Sequence, residues 1–246
     1  MASVAGDGRL AGRIALVTGA SRGIGAAVAK RFAAEGAHLV LVARTQGGLE
    51  EVDDAIREAT GIRDDEEGAT LAPLDLTDFA AIDRMGAALH ERFGKLDVLV
   101  GNAGILGELS PLGHIEAKDW DAVMATNLTA NWRLIRSLDP LLQASEAGRA
   151  IFVTSGVARK VFPFWGGYAV SKAALEMLVK IYAAENEKTN VNANILDPAT
   201  ARTAMRAKAM PGEDPMTLPE PEAITEDFVR LAEASCTMSG EIVRVS

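Results

Sequence analysis

The sequence predicts an α/β protein built on one doubly wound parallel sheet of about seven strands, with helices on both faces. Three observations carry that expectation. Short apolar runs alternate with longer stretches of helical period, and such alternation gives right-handed βαβ units. The runs are apolar at nearly every position, as strands are when both their faces are covered. No Pro- or Ser-rich linker and no repeat divides the 246 residues, so 1–246 reads as a single domain.

Taken in order, Ile-Ala-Leu-Val-Thr at 14–18 is the first strand, followed by a helix over 23–35. A strand at 38–43 leads to a helix over 49–60, and a strand at 69–74 leads to a helix over 79–93. The strand at 96–100 precedes a long helix over 117–142. The strand at 150–155 precedes a helix over 168–185. A strand at 191–196, a helix over 224–233 and a strand at 241–245 complete the order. Residues 63–67 read as a solvated acidic connection, and 1–10 as a flexible N-terminus. The proline-rich stretch 197–221 shows no strand. It follows a strand end, where open α/β sheets bind ligands, so it is expected to act as a lid over a substrate.

Composition narrows the function. Hydrophobic residues make up 48% of the chain, enough for a sizeable core, and the net charge is −9. That balance argues against general binding to nucleic acid or an anionic membrane. Cys236 stands alone, and His38, His90 and His114 show no ligand spacing, so no metal site is expected. No run approaches the roughly 18 apolar residues of a membrane span, and the first ten residues lack the features of a secretory signal. A cytoplasmic location is the expectation, under which the glycosylation pattern Asn127-Leu128-Thr129 is idle.

Thr18-Gly19-Ala20-Ser21-Arg22-Gly23-Ile24-Gly25 joins the first strand to the first helix. Glycines there let the backbone turn sharply and approach a pyrophosphate, while the helix N-terminus supplies donors and a positive field. Gly19, Ser21, Arg22, Gly23 and Ile24 are therefore candidate cofactor contacts. The same residues satisfy G-x-S-x-G, the nucleophile elbow of α/β hydrolases. A hydrolase triad in its usual chain order needs a late histidine, and the last histidine is His114. The second strand ends in Val-Ala-Arg-Thr at 42–45, with no acidic residue to bind the ribose hydroxyl of NAD. Arg44, with Arg22 opposite, suits a 2′-phosphate instead and favours NADP(H).

Farther along, Tyr168 and Lys172 lie four apart on one helix face, with Ser155 ahead of them. A phenol near its usual pKa of about 10 is a poor proton shuttle at neutral pH, and a nearby ammonium is expected to lower that value.

With these motifs in this order, the chain from about Gly12 to Val245 resembles the single-domain, Rossmann-like short-chain dehydrogenases/reductases. Asp75 and Leu76 match an element bordering the adenine, and Asn102, Ala103 and Gly104 match the N-A-G that supports the sheet and contacts the ribose. Pro198, Thr200 and Thr203 fall in the element beside the nicotinamide. The resemblance implies an oxidoreductase that interconverts a carbonyl and a secondary alcohol. Its implied roles are Tyr168 as general acid, Ser155 as polariser of the substrate oxygen, and Lys172 as the group that tunes the phenol and holds the ribose. Asn127 would fix a water in a proton relay. Two departures stand out: Gly101 replaces the first asparagine of N-N-A-G, and Asp197-Pro198-Ala199 replaces Asn-Pro-Gly.

Residues 162–165 offer an apolar wall ahead of Tyr168, and Met205 and Met210 offer pocket lining. Arg202, Arg206 and Lys208 make the lid basic, which suits an anionic group such as that of an acyl thioester. The resemblance implies a homodimer or homotetramer joined through the helices at 117–142 and 168–185. Trp132, Leu134, Leu138, Met177, Leu178 and Ile181 would supply the apolar surface. The alternative is an NADP-binding sensor or scaffold without turnover, which has no need of a Tyr-Lys pair.

Overall fold

The computed structural model describes residues 8–62 and 68–245. The acidic connection at 63–67 and residues 1–7 of the expected loose terminus lie outside the described residues. Residues 8–10 are not loose: Leu10 is fully buried and its N–H donates to the Glu35 carbonyl at 2.9 Å.

Seven parallel strands form one sheet in the order β3-β2-β1-β4-β5-β6-β7. They are β1 (Ile14–Thr18), β2 (His38–Ala43), β3 (Thr70–Pro73), β4 (Val98–Gly101), β5 (Gly148–Val153), β6 (Val191–Asp197) and β7 (Ile242–Arg244). Between them run α1 (Gly23–Ala34), α2 (Gln46–Thr60), α3 (Phe79–Phe93), α4 (Ala117–Met124), α5 (Ala130–Gln143), α6 (Gly166–Glu185), α7 (Ala204–Ala209) and α8 (Glu226–Ala232). The unbroken apolar strands are explained by two cores, one on each face. Ala15, Val17, Leu39 and Leu41 face Val28 and Phe32 of α1, Leu49 of α2 and Phe228 of α8. Their neighbours Leu16, Val40, Leu99 and Phe152 face Ile82 of α3, Leu134 and Leu138 of α5, and Leu175 of α6. Successive strand residues point to opposite faces, so burial on both sides makes every position apolar.

β1 pairs with β2 on one side and β4 on the other, so the carboxyl ends of β1 and β4 form the topological switch point. Three differences from the expected elements bear on function. The helix expected over 117–142 is interrupted by a π-helical turn at Ala125–Thr129, which contains Asn127. Such turns insert one extra residue and concentrate at functional sites. β5 ends at Val153, which leaves Ser155 beyond the strand, just ahead of a 3₁₀ turn at Gly156–Ala158. The stretch after β6 is not wholly irregular: it carries α7 and 3₁₀ turns at Pro215–Thr217 and Pro221–Ile224.

Candidate active site

The turn after β1 is built for close backbone approach. Gly19 and Gly23 have φ of +66° and +57°, a region that side chains disfavour. A Cβ on Gly25 would stand 2.2 Å from the Gly19 carbonyl oxygen, so only glycine lets α1 pack this tightly on the turn. Arg22 occupies the N-cap of α1 without a side-chain cap, and the first turn holds no acidic residue. The first amide donors of α1 are thus left for an anion, and the cradle fits a pyrophosphate. Ser21 sits against Gly48 of α2, where a Cβ would lie 3.0 Å from the serine Cβ, and half-buried Ile24 anchors the turn to the core.

The end of β4 is tied to this turn. The Asn102 side-chain amide donates to the Thr18 carbonyl at 2.9 Å, and the Asn102 and Ala103 amides both donate to Thr18 Oγ1 at 3.0 Å. Asn102 therefore braces the switch point through its side chain. Gly101, where a bracing side chain was missed, has no room for one. A Cβ there would stand 2.4 Å from a ring carbon of Phe152 and 2.6 Å from Asn131 Oδ1. Gly104 leaves space between Asn127 and Lys172, since its Cβ would lie 3.3 Å from Asn127 Oδ1 and 3.5 Å from Lys172 Nζ.

Arg22 and Arg44 are exposed and make no ion pair among the described residues. Asp75 accepts from the Thr77 amide and hydroxyl at 2.9 and 2.8 Å. These bonds hold its carboxyl below the usual range, and the charge of Arg44 adds to the effect. Leu76 beside it is buried in the core.

The catalytic candidates converge across β5, α6 and the π turn. The Ser155 hydroxyl acts on the Tyr168 phenol, and Lys172 Nζ lies 5.8 Å from the centre of the Tyr168 ring. The Lys172 ammonium donates to the Val153 carbonyl at 2.8 Å, and its complete burial pushes its pKa down to about 8. The expected lowering of the Tyr168 pKa is not seen. Burial pushes the phenol up to about 12; the Ser155 hydroxyl pulls it down, and the negative charge of Asp197 pushes it up. The ammonium sits over the ring face rather than at the phenol oxygen, and removing a phenolate from water outweighs its attraction.

Asn127 is fully buried. Its Nδ2 donates to the Ile105 carbonyl at 2.9 Å and to Ser171 Oγ at 3.0 Å, and its Oδ1 accepts from the Ile105 amide at 2.8 Å. The π turn thereby pins the loop after β4 to α6. The wall ahead of Tyr168 is a graded stack: Phe162 meets Trp165 at 6.3 Å between ring centres, and Trp165 meets Tyr168 edge-on at 6.1 Å. Phe164 is exposed with φ of +76°.

The lid departs from expectation. Arg206 forms a forked pair with Glu213, and Arg202 pairs with Glu220 and donates to the Pro215 and Leu218 carbonyls, so neither cation is left for a ligand. Thr203 caps α7 by accepting from the Arg206 amide, and its methyl lies 3.6 Å from a Cβ on Gly23, which places the lid against the glycine turn. Pro198 is buried, Thr200 is exposed, and Ala199 holds φ of +54°. Sequence reasoning missed Arg159 and Glu176. Their only signal was a glutamate one turn after Lys172 on a buried helix face.

His38 is not available to a hydrolase triad, since its Nε2 bonds Thr70 Oγ1 at 2.9 Å at the far end of β2. The model of the short chain dehydrogenase family matches residues 13–214. The chain is 36% identical over 214 residues to an uncharacterized oxidoreductase, YciK, of Escherichia coli K12, covering 86% of this chain and 82% of that one. It also matches a putative short chain dehydrogenase from Pseudomonas syringae with a TM-score of 0.92 and 38% identity, covering 100% and 99% of the two chains. A putative short chain dehydrogenase of Shigella flexneri complexed with NADP matches with a TM-score of 0.92 and 33% identity, covering 98% and 99%. The chain belongs to the short-chain dehydrogenase/reductase family.

Proposed function

We propose that this chain is an NADP(H)-dependent oxidoreductase that interconverts a carbonyl and a secondary alcohol. One observation carries the reading: the Ser155 hydroxyl acting on the buried Tyr168 phenol, with a buried lysine over the ring, beside a glycine turn whose helix lacks a side-chain cap. The NADP complex of the Shigella flexneri relative supports the cofactor. When bound, NADPH supplies the hydride.

The chain's own residues do the rest. The glycine turn and α1 hold the pyrophosphate, and the free Arg22 and Arg44 take the 2′-phosphate. Asp75 and Leu76 border the adenine; Ala103 and Gly104 give a flat approach to the ribose. Ser155 donates to the substrate oxygen and fixes it against the phenol. Tyr168 gives its proton to that oxygen in reduction. A phenol at about 12 keeps its proton at neutral pH, so the chain rests in the form needed for reduction. Lys172 places positive charge over the phenol ring, which favours the developing phenolate. Pro198, Thr200 and Thr203 would hold the nicotinamide end of the cofactor, with residues 197–221 as the lid.

The substrate is a carbonyl compound with an apolar body that lies along Phe162 and Trp165. An acyl thioester is the less favoured form, because Arg202 and Arg206 are already paired. A screen of ketones and acyl thioesters, following NADPH loss with Tyr168→Phe as control, tests both. Turnover of no carbonyl compound would favour the sensor reading.

We also propose self-association through α5 and α6. Trp132, Val170, Met177 and Ile181 stay exposed, whereas Leu134 and Leu138, expected at that surface, are fully buried in the core. Light scattering at micromolar concentration is expected to show at least a dimer.

A further inference from the structure

Behind the Tyr168–Lys172 face lies a charge cluster that the proposed chemistry does not use. Glu176 follows Lys172 by one helical turn, so Tyr168, Lys172 and Glu176 line one side of α6. The Glu176 side chain is 8% exposed and that of Asp197 is 2% exposed. Two carboxylates at such depth need partners. Arg159 supplies them: Nη1 donates to Glu176 Oε1 and Nη2 to Asp197 Oδ2. Thr154 Oγ1 adds a hydrogen bond to Glu176 at 2.7 Å.

Each end of this bridge reaches a different part of the site. Arg159 ends the 3₁₀ turn that begins after Ser155, so it rides on the serine's own loop. Glu176 belongs to the helix that carries the phenol and the ammonium. Asp197 ends β6, and its Oδ1 accepts from the Ala199 amide at 3.1 Å, which fixes the left-handed turn at Ala199. One guanidinium thus ties together three elements, a 3₁₀ turn, α6 and β6. A planar fork reaches both carboxylates at once, which an ammonium cannot.

We propose that Arg159 is a positioning residue: by bridging Glu176 and Asp197 it locks the Ser155 turn, the Tyr168–Lys172 helix face and the Ala199 turn together, and it offsets part of the Asp197 charge. This rests on the catalytic roles proposed above. The charged and polar groups around the phenol are Lys172 from its own helix, Ser155 from the turn after β5 and Asp197 from β6, with Arg159 and Glu176 behind them. Of these, Arg159 is the group paired directly with Asp197.

The test uses the full chain in alcohol oxidation with NADP⁺, the direction that needs the deprotonated phenol. Arg159→Met is expected to lower kcat by about tenfold or more at neutral pH, with little change in KM for the cofactor. The pH of half-maximal oxidation should move up by about one unit. Arg159→Met combined with Asp197→Asn should bring that midpoint back, because the unpaired charge beside the phenol is gone. Arg159→Lys should restore the midpoint and leave kcat low, since charge returns without the fork. Should Arg159→Met fail to fold, Asp197→Asn alone decides: its midpoint should move down. Independently of turnover, the ultraviolet titration of Tyr168, read as the difference from Tyr168→Phe, should begin at lower pH in Asp197→Asn. An Arg159→Met protein with wild-type kcat and midpoint overturns the proposal, as does a shift that Asp197→Asn does not reverse. A Tyr168→Phe protein that keeps full turnover refutes the catalytic reading instead, and the phenol titration then still judges the charge coupling by itself.

Discussion

The half of the site around β1 and β4 and the half around β5, α6 and β6 are held by different means. The first is made of backbone. Glycines sit where a Cβ would strike a carbonyl or an amide, and each bond of the brace between Thr18 and the 102–103 turn has a main-chain group at one end. The second is made of side chains. A buried ammonium, two buried carboxylates and a phenol sit within one packed wall, with aromatic rings leading outward. The difference teaches that holding a phosphate asks for shape, whereas moving a proton asks for tuned charge.

Tyr168→Phe breaks the comparison at its chemical end. Turnover should fall by about 10²–10⁴-fold, while NADPH binding by fluorescence titration stays near wild type. Equal losses of turnover and binding would mean that the two halves are not separable. Within the same half, the ammonium of Lys172 is present below its pKa of about 8 and is lost as pH rises through it. Carbonyl reduction should therefore decline above about pH 8, as a pH profile of kcat would show.

Arg44→Asp attacks the first half. It removes one charged partner of the 2′-phosphate, worth roughly 1.5–3 kcal/mol, and should change the ratio of NADPH to NADH affinity by about ten- to a hundredfold or more. An unchanged ratio would show that Arg44 does not read the phosphate. Gly101→Ala probes shape alone. Its Cβ would meet Phe152 and Asn131, so overpacking should cost about 1–3 kcal/mol. Each kcal/mol lowers Tm by about 2–4 °C in a chain of this size, measurable by calorimetry. Ala199→Gly is the mildest change. It relieves a left-handed alanine, worth about 1 kcal/mol, against the greater freedom of glycine in the unfolded chain. A small rise in Tm, or none, is expected; a marked fall would show that the alanine methyl packs usefully.

The same contrast governs what was legible in the sequence. The seven strands, their order of appearance and the glycine turn were readable, because apolar runs and glycine spacing are local signals. Tyr168, Lys172 and Ser155 were readable as a set because two of them share a helix face. The Arg159–Glu176–Asp197 bridge was not, since its members come from three elements that only the fold brings together. Nor was the pairing of Arg202 and Arg206: basic residues in a loop look available until their partners at 213 and 220 fold back on them. Exposure of helix faces is only partly legible in the sequence, because Leu134 and Leu138 share the apolar character of Trp132 but lie on the inward side of α5.

The π turn at Ala125–Thr129 has a genetic consequence. Each residue of an α-helix turns the chain by about 100° and advances it by about 1.5 Å. The turn holds one residue more than a regular helix would need, so losing a codon there would let the helix close into uninterrupted α form. α4 would then keep its heading while Asn127 lost its hold on Ile105 and Ser171. A one-residue deletion inside 125–129 should therefore leave a folded chain whose loop after β4 has come adrift from α6. The same deletion inside α5 would instead rotate the buried leucines off the sheet.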